Sequence, residues 1–252
     1  MVNIAVTGAN GHMGKVITSV VLGRDDCQIV AGIDINTASN GIFPIVAKPA
    51  DLPVRPDVII DFSNPSALDG ILDYCKANKV AAVICTTGYT DEQKAQITAA
   101  SAEIPVFFTF NCSLGINLLA DLAKKAVRVL GGQFDIEILE KHHNQKVDAP
   151  SGTALLLADA INSASDIDYE YVYDRHSVRK KRGAKELGIS AIRGGTIVGE
   201  HDIIFAGRDE VITLSHHAAS KEVFAVGAVN AAVFMAGKPA GMYDMGSLID
   251  EA

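Results

Sequence analysis

Val2-Asn-Ile-Ala-Val-Thr7, followed at once by Gly8-Ala-Asn-Gly11-His-Met-Gly14, is the stretch on which the reading of this chain turns. The first six residues form a short β-branched run of the kind found in a strand buried on both faces. Glycines at 8, 11 and 14 then permit a tight turn, a close approach of backbone to a pyrophosphate and close helix-on-strand packing, and residues 15–22 continue as a helix. The helix N-terminus would face the phosphates. A glycine-rich turn alone is a weak signal, because such turns are common. Gln28-Ile-Val-Ala-Gly-Ile-Asp34 strengthens it. This second strand run ends in a carboxylate about 20 residues beyond Gly14, where a dinucleotide-binding fold places the acid that hydrogen-bonds the ribose hydroxyls.

Val58-Ile-Ile-Asp-Phe-Ser63, Ala81-Ala-Val-Ile-Cys85 and Pro105-Val-Phe-Phe-Thr109 read as further buried strands, with helices predicted over residues 66–77 and 91–102. Strands alternating with crossover helices imply a Rossmann-type, doubly wound parallel sheet. Ligands of such sheets bind beyond the carboxyl ends of the strands, which makes Thr86, Thr87, Thr109, Phe110, Asn111 and Cys112 candidates for the nicotinamide side. No arginine follows Asp34 in Ile35-Asn-Thr37, and Asp34 itself would repel a 2′-phosphate. NADH is the expected reductant; NADPH would need a Lys or Arg reaching in from another loop.

A second stretch carries the chemistry. Glu140-Lys-His-His-Asn-Gln-Lys-Val-Asp-Ala-Pro-Ser-Gly-Thr-Ala154 joins the alternating run Asp135-Ile-Glu-Ile-Leu-Glu140 to the helical run Ala154-Leu-Leu-Leu-Ala-Asp-Ala-Ile161. Within it, beyond the strand, lie two imidazoles, the Lys146 ammonium and the Asp148 carboxylate. Ser151 suits an N-cap, and the amides of Ser151-Gly152-Thr153 would face whatever lies in front of the helix. The bland alternative is a solvated polar loop. A metal is not expected, because adjacent histidines point apart and no cysteine or third histidine stands at ligand spacing. No Gly-x-Ser-x-Gly is present to support a serine hydrolase.

Residues 114–130 read as an amphipathic helix stopped by Gly131-Gly132. Tyr169-Glu-Tyr-Val-Tyr-Asp174, Gly188-Ile-Ser-Ala-Ile-Arg193, Gly195-Thr-Ile-Val-Gly199, His201-Asp-Ile-Ile-Phe205 and Glu210-Val-Ile-Thr-Leu-Ser215 are strand-like without intervening helices. They predict a second, α+β domain with a mixed or antiparallel sheet. The apolar helix over 221–235 is expected to return to the first domain. The division is therefore 1–112 with 222–252 for the dinucleotide, and 113–221 for substrate and oligomerisation. The basic run 175–185 reads as a solvated loop, with a mobile cover over an anionic ligand as the sharper alternative.

Composition narrows the classes. A formal net charge of −8 over 252 residues argues against a nucleic-acid backbone as partner. No stretch approaches the roughly 20 apolar residues of a membrane span, and the N-terminus enters a strand instead of a signal peptide, so a cytoplasmic location is expected. Cys27, Cys75, Cys85 and Cys112 form no C-x-x-C and read as reduced, packed thiols.

A nicotinamide site on one domain and a proton-donating anion site on the other imply hydride transfer in the cleft between them. Hydride addition to a polarised double bond leaves negative charge that an imidazolium or ammonium must neutralise, which suits His142 and Lys146. Lys146, Arg193, His143 and the Ser151-Gly152-Thr153 amides would hold carboxylates, so the expected substrate is a small dicarboxylate. Glu140-x-His142-His143-x-x-Lys146-Val-Asp148-Ala-Pro-Ser151-Gly152-Thr153-Ala resembles the signature of the 4-hydroxy-tetrahydrodipicolinate (dihydrodipicolinate) reductase family of lysine and diaminopimelate biosynthesis. Further similarity lies at Gly8 to Gly14, Asp61-Phe62, Thr86-Thr87-Gly88, Asn111 to Asn117, Arg193-Gly194-Gly195-x-x-x-Gly199-Glu200-His201 and Gly241-Met-Tyr-Asp244, and so spans nearly the whole chain.

The resemblance implies His142 as proton donor/acceptor and Lys146 as proton donor, with His143, Gly152 and Thr153 on the substrate. It also implies nucleotide contacts at Gly8, Ala9, Asn10, Gly11, His12, Met13, Asp34, Cys85, Thr86, Thr87, Thr109, Phe110, Asn111 and Cys112, and a homotetramer built through the second domain. His12 stands where that family usually has arginine, Ile35 where NADPH-accepting members can have arginine, and Cys85 where glycine is usual. Two rival readings are another two-domain nicotinamide dehydrogenase and a non-catalytic dinucleotide sensor. The presence of both His142 and Lys146 weighs against the sensor. Asp34→Ala is expected to raise the Michaelis constant for NADH about tenfold, the loss of one hydrogen bond to a charged group, while leaving kcat. An unchanged Michaelis constant contradicts the ribose assignment.

Overall fold

Continuous apolar runs can be buried on both faces, and this decides the first half of the chain. In the computed structural model, which describes residues 1–251, these runs form a parallel sheet. The strands are β1 (Val2–Thr7), β2 (Cys27–Ile33), β3 (Ile45–Val46), β4 (Val58–Asp61), β5 (Ala81–Ile84), β6 (Pro105–Phe108) and, from the end of the chain, β12 (Gly241–Tyr243). Their order is β12-β6-β5-β4-β1-β2-β3, all pairs parallel. Chain direction across the sheet reverses between β1 and β4, the switch point beyond which doubly wound sheets hold their ligands.

Helices α1 (His12–Leu22), α2 (Leu68–Asn78) and α3 (Asp91–Ala100) supply the crossovers. One core face gathers Ile4, Val6, Ile17, Val58, Ile60, Val83 and Phe107 against α6 (Glu222–Met235); the other gathers Ile59, Leu68, Ile71, Ile84 and Ile97. Helix α6 is apolar almost all round, and its Ala225, Ala228, Val229 and Ala232 are fully buried. It and α7 (Met245–Asp250) complete this unit, which comprises Met1–Leu114 and Glu222–Ala252.

The second unit, Gly115–Lys221, is a mixed sheet covered by helices. Its strands are β7 (Asp135–His142), β8 (Glu170–Val172), β9 (Glu186–Arg193), β10 (Gly199–Ala206) and β11 (Val211–Ala218), in the order β11-β10-β7-β9-β8. The pairs β11·β10 and β10·β7 are antiparallel, while β7·β9 and β9·β8 are parallel. Period-2 burial along β7 and β10 points Ile136, Ile138, Ile203 and Phe205 at a core shared with α4 (Leu114–Leu130) and α5 (Gly152–Ser163). No helix among the described residues is long and apolar enough to cross a membrane.

Three expectations need correction. Gly195-Thr-Ile-Val198 is no strand: Gly195 turns the chain at φ 50°, the Gly194 amide donates to His142 O and the Asn144 amide to Gly195 O, and only Gly199 belongs to a strand, as the first residue of β10. β3 and β12 widen the parallel sheet to seven strands, and both are too short to show a periodicity. The basic run is not merely solvated. Arg175 pairs with Glu186, and Arg182 pairs with Asp135 and Glu137 while donating to the Ile136 and Glu186 carbonyls. These two arginines tie the segment to β7 and β9.

Packing of α6 sets a clear test. A Cβ added at Gly227 would lie 1.6 Å from the Cys112 carbonyl oxygen, whereas nothing lies within 4 Å of one added at Gly70 on the exposed face of α2. Gly227→Ala is expected to cost about 1–3 kcal/mol through overpacking. Gly70→Ala should gain about 0.5–1 kcal/mol from helix propensity. Urea unfolding midpoints measure both, and equal effects at the two positions contradict this packing.

Candidate functional site

In the parallel-sheet unit, β1 delivers the chain into a turn that only glycine fits at its first position. Gly8 sits at φ 75°, and a Cβ there would come within 2.6 Å of the Phe62 carbonyl oxygen. Its amide donates to Ile33 O at 2.8 Å, and the Gly11 amide donates to Gly8 O at 2.9 Å. Gly11 caps α1 with no side chain, so the amides of His12 and Met13 face outward unblocked by a neighbouring side-chain cap. Asp34 accepts from the Asn10 amide (2.9 Å) and the Asn36 amide (2.9 Å), one on each carboxylate oxygen. Each oxygen keeps a lone pair for a ribose hydroxyl. The Asn10 side chain donates to Asn36 O and Ala38 O, binding the turn to the segment after β2. Ala9 is buried beneath it. A backbone cradle at a helix N-terminus beside a carboxylate fits a dinucleotide.

A cavity of about 290 Å³ opens in the same unit, lined by Met13, Phe62, Ser63, Cys85, Thr86, Thr87, Phe110, Cys112 and Phe224. Six of these were expected from the sequence; Phe62, Ser63 and Phe224 were not. Phe62 and Ser63 follow β4, next to the switch point, and could have been found by applying the strand-end rule to that strand. Phe224 comes from α6, about a hundred residues downstream, and carries no such signal. Thr109 and Asn111 do not line the cavity: Thr109 Oγ1 donates to Asn111 O and accepts from the Asn111 amide, shaping the loop behind Phe110. Thr86 is buried and accepts from the Ser63 amide. Below it lies Asp61, fully buried and hydrogen-bonded by Ser63 and Tyr89; burial pushes its carboxyl pKa up. Cys85 and Cys112 are free, buried and 3.0 Å apart at sulfur, and burial raises the Cys85 thiol well above its usual range, which makes it a poor nucleophile.

In the mixed-sheet unit, strand register assembles the second cluster. β7 places Glu140 and His142 on one face, Arg193 of β9 stands opposite His142, and His201 of β10 stands opposite Glu140. His142 is therefore the last residue of a strand, not part of a loop. The fully buried Glu140 carboxylate receives both ends of the Arg193 guanidinium (2.7 and 2.6 Å), the Ser151 amide (3.0 Å) and His142 Nδ1 (2.6 Å). Burial alone would raise the Glu140 pKa, but the hydrogen bonds from Arg193, His142 and Ser151 outweigh it and hold the carboxyl below its usual range. A carboxylate only accepts, so Nδ1 carries the proton and Nε2 is left for exchange. A Cβ at residue 199 would lie 3.2 Å from Nε2, so Gly199 keeps that nitrogen clear.

The other candidates divide. Ser151 caps α5 by accepting from the Ala154 amide and bonds His201 Nε2 at 3.0 Å, so its hydroxyl is already engaged. Gly152 is open, with nothing within 4 Å of a would-be Cβ, and Thr153 follows in the first turn of α5. Lys146 pairs with Asp148 at 2.9 Å, and its amide donates to His143 O at 3.2 Å. Arg193, besides Glu140, donates to Ile192 O and Asp148 O, so both terminal nitrogens are engaged within the protein, while its Nε is buried without a partner. Glu140 and His201 were not singled out for the site beforehand. Among the described residues no group of three or more His, Cys, Asp or Glu is arranged to hold a metal.

A dinucleotide cradle on one unit and an imidazole–carboxylate–guanidinium cluster on the other define the class of two-unit nicotinamide oxidoreductases. Comparison with known proteins narrows this. The family profile described as dihydrodipicolinate reductase, N-terminus, matches residues 2–112, and the C-terminus profile matches residues 115–249. The 4-hydroxy-tetrahydrodipicolinate reductase of Clostridium tetani is 49% identical over 250 residues, covering 99% of this chain and 98% of that one. That of Caldanaerobacter subterraneus subsp. tengcongensis is 47% identical over 249 residues, with the same coverage. The solved structure of a dipicolinate-bound dihydrodipicolinate reductase from Paenisporosarcina sp. TG-14 superposes with a TM-score of 0.81 at 25% identity, covering 97% of each chain. The chain belongs to the dihydrodipicolinate reductase family.

His201 makes this cluster acid-sensitive. Burial, with repulsion from nearby cationic groups adding to it, lowers its pKa from 6.5 to about 4. The unfolded chain thus takes up a proton that the folded chain refuses, so stability is intact above pH 6.5 and falls as pH drops towards 4. The loss is about 3 kcal/mol at one pKa unit per 1.36 kcal/mol. Unfolding midpoints across that window should fall in the native protein and flatten in His201→Asn; parallel profiles contradict it.

Proposed function

We propose that this chain reduces 4-hydroxy-tetrahydrodipicolinate to tetrahydrodipicolinate in lysine and diaminopimelate biosynthesis. A reduced nicotinamide dinucleotide supplies the hydride when bound. The protein's part is to hold two anions and to deliver a proton. The observation that carries the proposal is the His142–Glu140 pair: an ionised, buried carboxylate takes Nδ1–H and leaves Nε2 to take up a second proton, which the imidazolium gives to the substrate atom that gains electron density. The Lys146 ammonium lies three residues after His143, near enough in sequence for both to present charge to a dicarboxylate. Gly152 and Thr153 offer first-turn amides for one carboxylate.

NADH is the proposed reductant. Asp34 places a negative charge where a 2′-phosphate would sit, and the residue after it, Ile35, is fully exposed and apolar, so nothing there offsets the repulsion. Assembly as a homotetramer through residues 113–221, in the cytoplasm, belongs to the same reading; exposed Ile192, Val211 and Ile212 on that unit's sheet support an interface.

The test is direct. Mixed with NADH and the freshly made condensation product of pyruvate and aspartate semialdehyde, the protein should consume nicotinamide absorbance. His142→Ala should lower kcat about 10²-fold or more, the usual contribution of a general acid, with dinucleotide affinity unchanged. Equal losses in both contradict the assignment, and no oxidation of either NADH or NADPH with nucleotide binding intact contradicts the proposal.

A further inference from the structure

Taking His142 as the proton donor, as proposed above, leaves open what makes its Nε2 the reactive nitrogen. We infer that Glu140 and Arg193 are a positioning pair that sets the tautomer and orientation of His142, and that Arg193 acts through Glu140 instead of binding substrate. Three observations carry this. Glu140 has no solvent exposure, so its carboxylate has only protein partners. Its Oε2 is shared between His142 Nδ1 at 2.6 Å and Arg193 at 2.7 Å, and its Oε1 between Arg193 at 2.6 Å and the Ser151 amide at 3.0 Å. Arg193 also donates to two backbone carbonyls, so each terminal nitrogen makes two bonds within the protein, and its Nε is buried without a partner.

The physical reason is an accounting of protons. A neutral imidazole can place its hydrogen on either nitrogen, and the choice follows the partner. Facing a carboxylate that Arg193 keeps ionised, Nδ1 must be the donor, which reserves Nε2 to take up the second proton and pass it to the substrate. The guanidinium's two-pronged grip also fixes the plane of the carboxylate, and with it the plane of the ring. His201 packs edge-on against His142 with ring centroids 5.2 Å apart, closing the other side.

Glu140→Gln distinguishes this from a merely structural carboxylate. A glutamine oxygen placed at Oε1 accepts from one Arg193 prong and the Ser151 amide, which puts its NH₂ at Oε2 against His142 and the other Arg193 prong, so that only one donor that cannot switch is opposed. The opposite placement opposes NH₂ to two donors. The favoured arrangement makes Nδ1 an acceptor, so the ring keeps a single proton on Nε2 and cannot become the imidazolium that a proton donor needs; the neutral ring is too weak an acid. In protein labelled with ¹⁵N-histidine, at a pH where the ring is neutral, His142 should be protonated at Nδ1 in the native chain and at Nε2 in Glu140→Gln. The variant's kcat should fall about 10- to 100-fold, part of a general acid's contribution, with the Michaelis constants changed less than about twofold. In a His142→Ala background the same change should cost almost nothing further. Arg193→Lys should likewise lower kcat and spare the substrate Michaelis constant.

A native ring protonated at Nε2 overturns the inference even if Glu140→Gln does not fold. So does a full additional loss in the His142→Ala background, or an Arg193→Lys variant that raises the Michaelis constant with kcat intact. If His142→Ala itself keeps native kcat, the proton-donor reading falls and takes this one with it. A native response to His142→Ala beside an inert Glu140→Gln overturns the pair alone.

Discussion

A single buried carboxylate governs the mixed-sheet unit. Glu140 lies in the central strand with no solvent contact, and an isolated charge there would be prohibitively costly. It is tolerated because a guanidinium from β9, an amide from the start of α5 and an imidazole two residues along its own strand converge on it. Removing one partner of such a buried pair typically costs about 3–5 kcal/mol, which makes the arrangement a constraint on how β7, β9 and α5 come together. The same bonds that hold the unit in register also leave one nitrogen of His142 available. Fold and chemistry are therefore set by one group.

The parallel-sheet unit obeys a different constraint, steric instead of electrostatic. Gly8 is pinned between a left-handed backbone and the carbonyl of Phe62, so β1 can hand the chain to α1 only through a glycine. Asp34 then braces the turn through the Asn10 amide, which brings the end of β2 to the cradle. Strand order places Phe62, Ser63, Cys85 and Thr86 along the neighbouring strand ends, where one cavity collects them. The acidic residue thus braces the loop through the Asn10 and Asn36 amides and keeps acceptor capacity on both oxygens.

How far this was legible in the sequence depended on the range of the interaction. Val2–Thr7 and Leu114–Leu130 were readable to the residue because continuous apolar burial and a clean amphipathic period are local. The Gly8 turn, Asp34 and the Ser151 cap were readable for the same reason. Two- and three-residue strands such as β3 and β12 have no period to read. Gly195-Thr-Ile-Val looked like a strand by composition, but its left-handed glycine makes it a turn. What the sequence left unread at the site was cross-strand register. The Arg193–Glu140 pair was not legible, because a separation of 53 positions does not reveal that their strands are adjacent. His201 was hidden in the same way, and so were the clamps made by Arg175 and Arg182.

The central claim is that the protein keeps Arg193 on Glu140 so that His142 Nε2 can face the substrate. A crystal structure with dipicolinate and a reduced dinucleotide bound tests it most directly. The account predicts ligand carboxylate on the amides of Gly152 and Thr153, Nε2 of His142 towards the dicarboxylate ring, and both prongs of Arg193 still on Glu140. Arg193 released from Glu140 and paired with the ligand, or Nε2 turned away from it, would contradict the account.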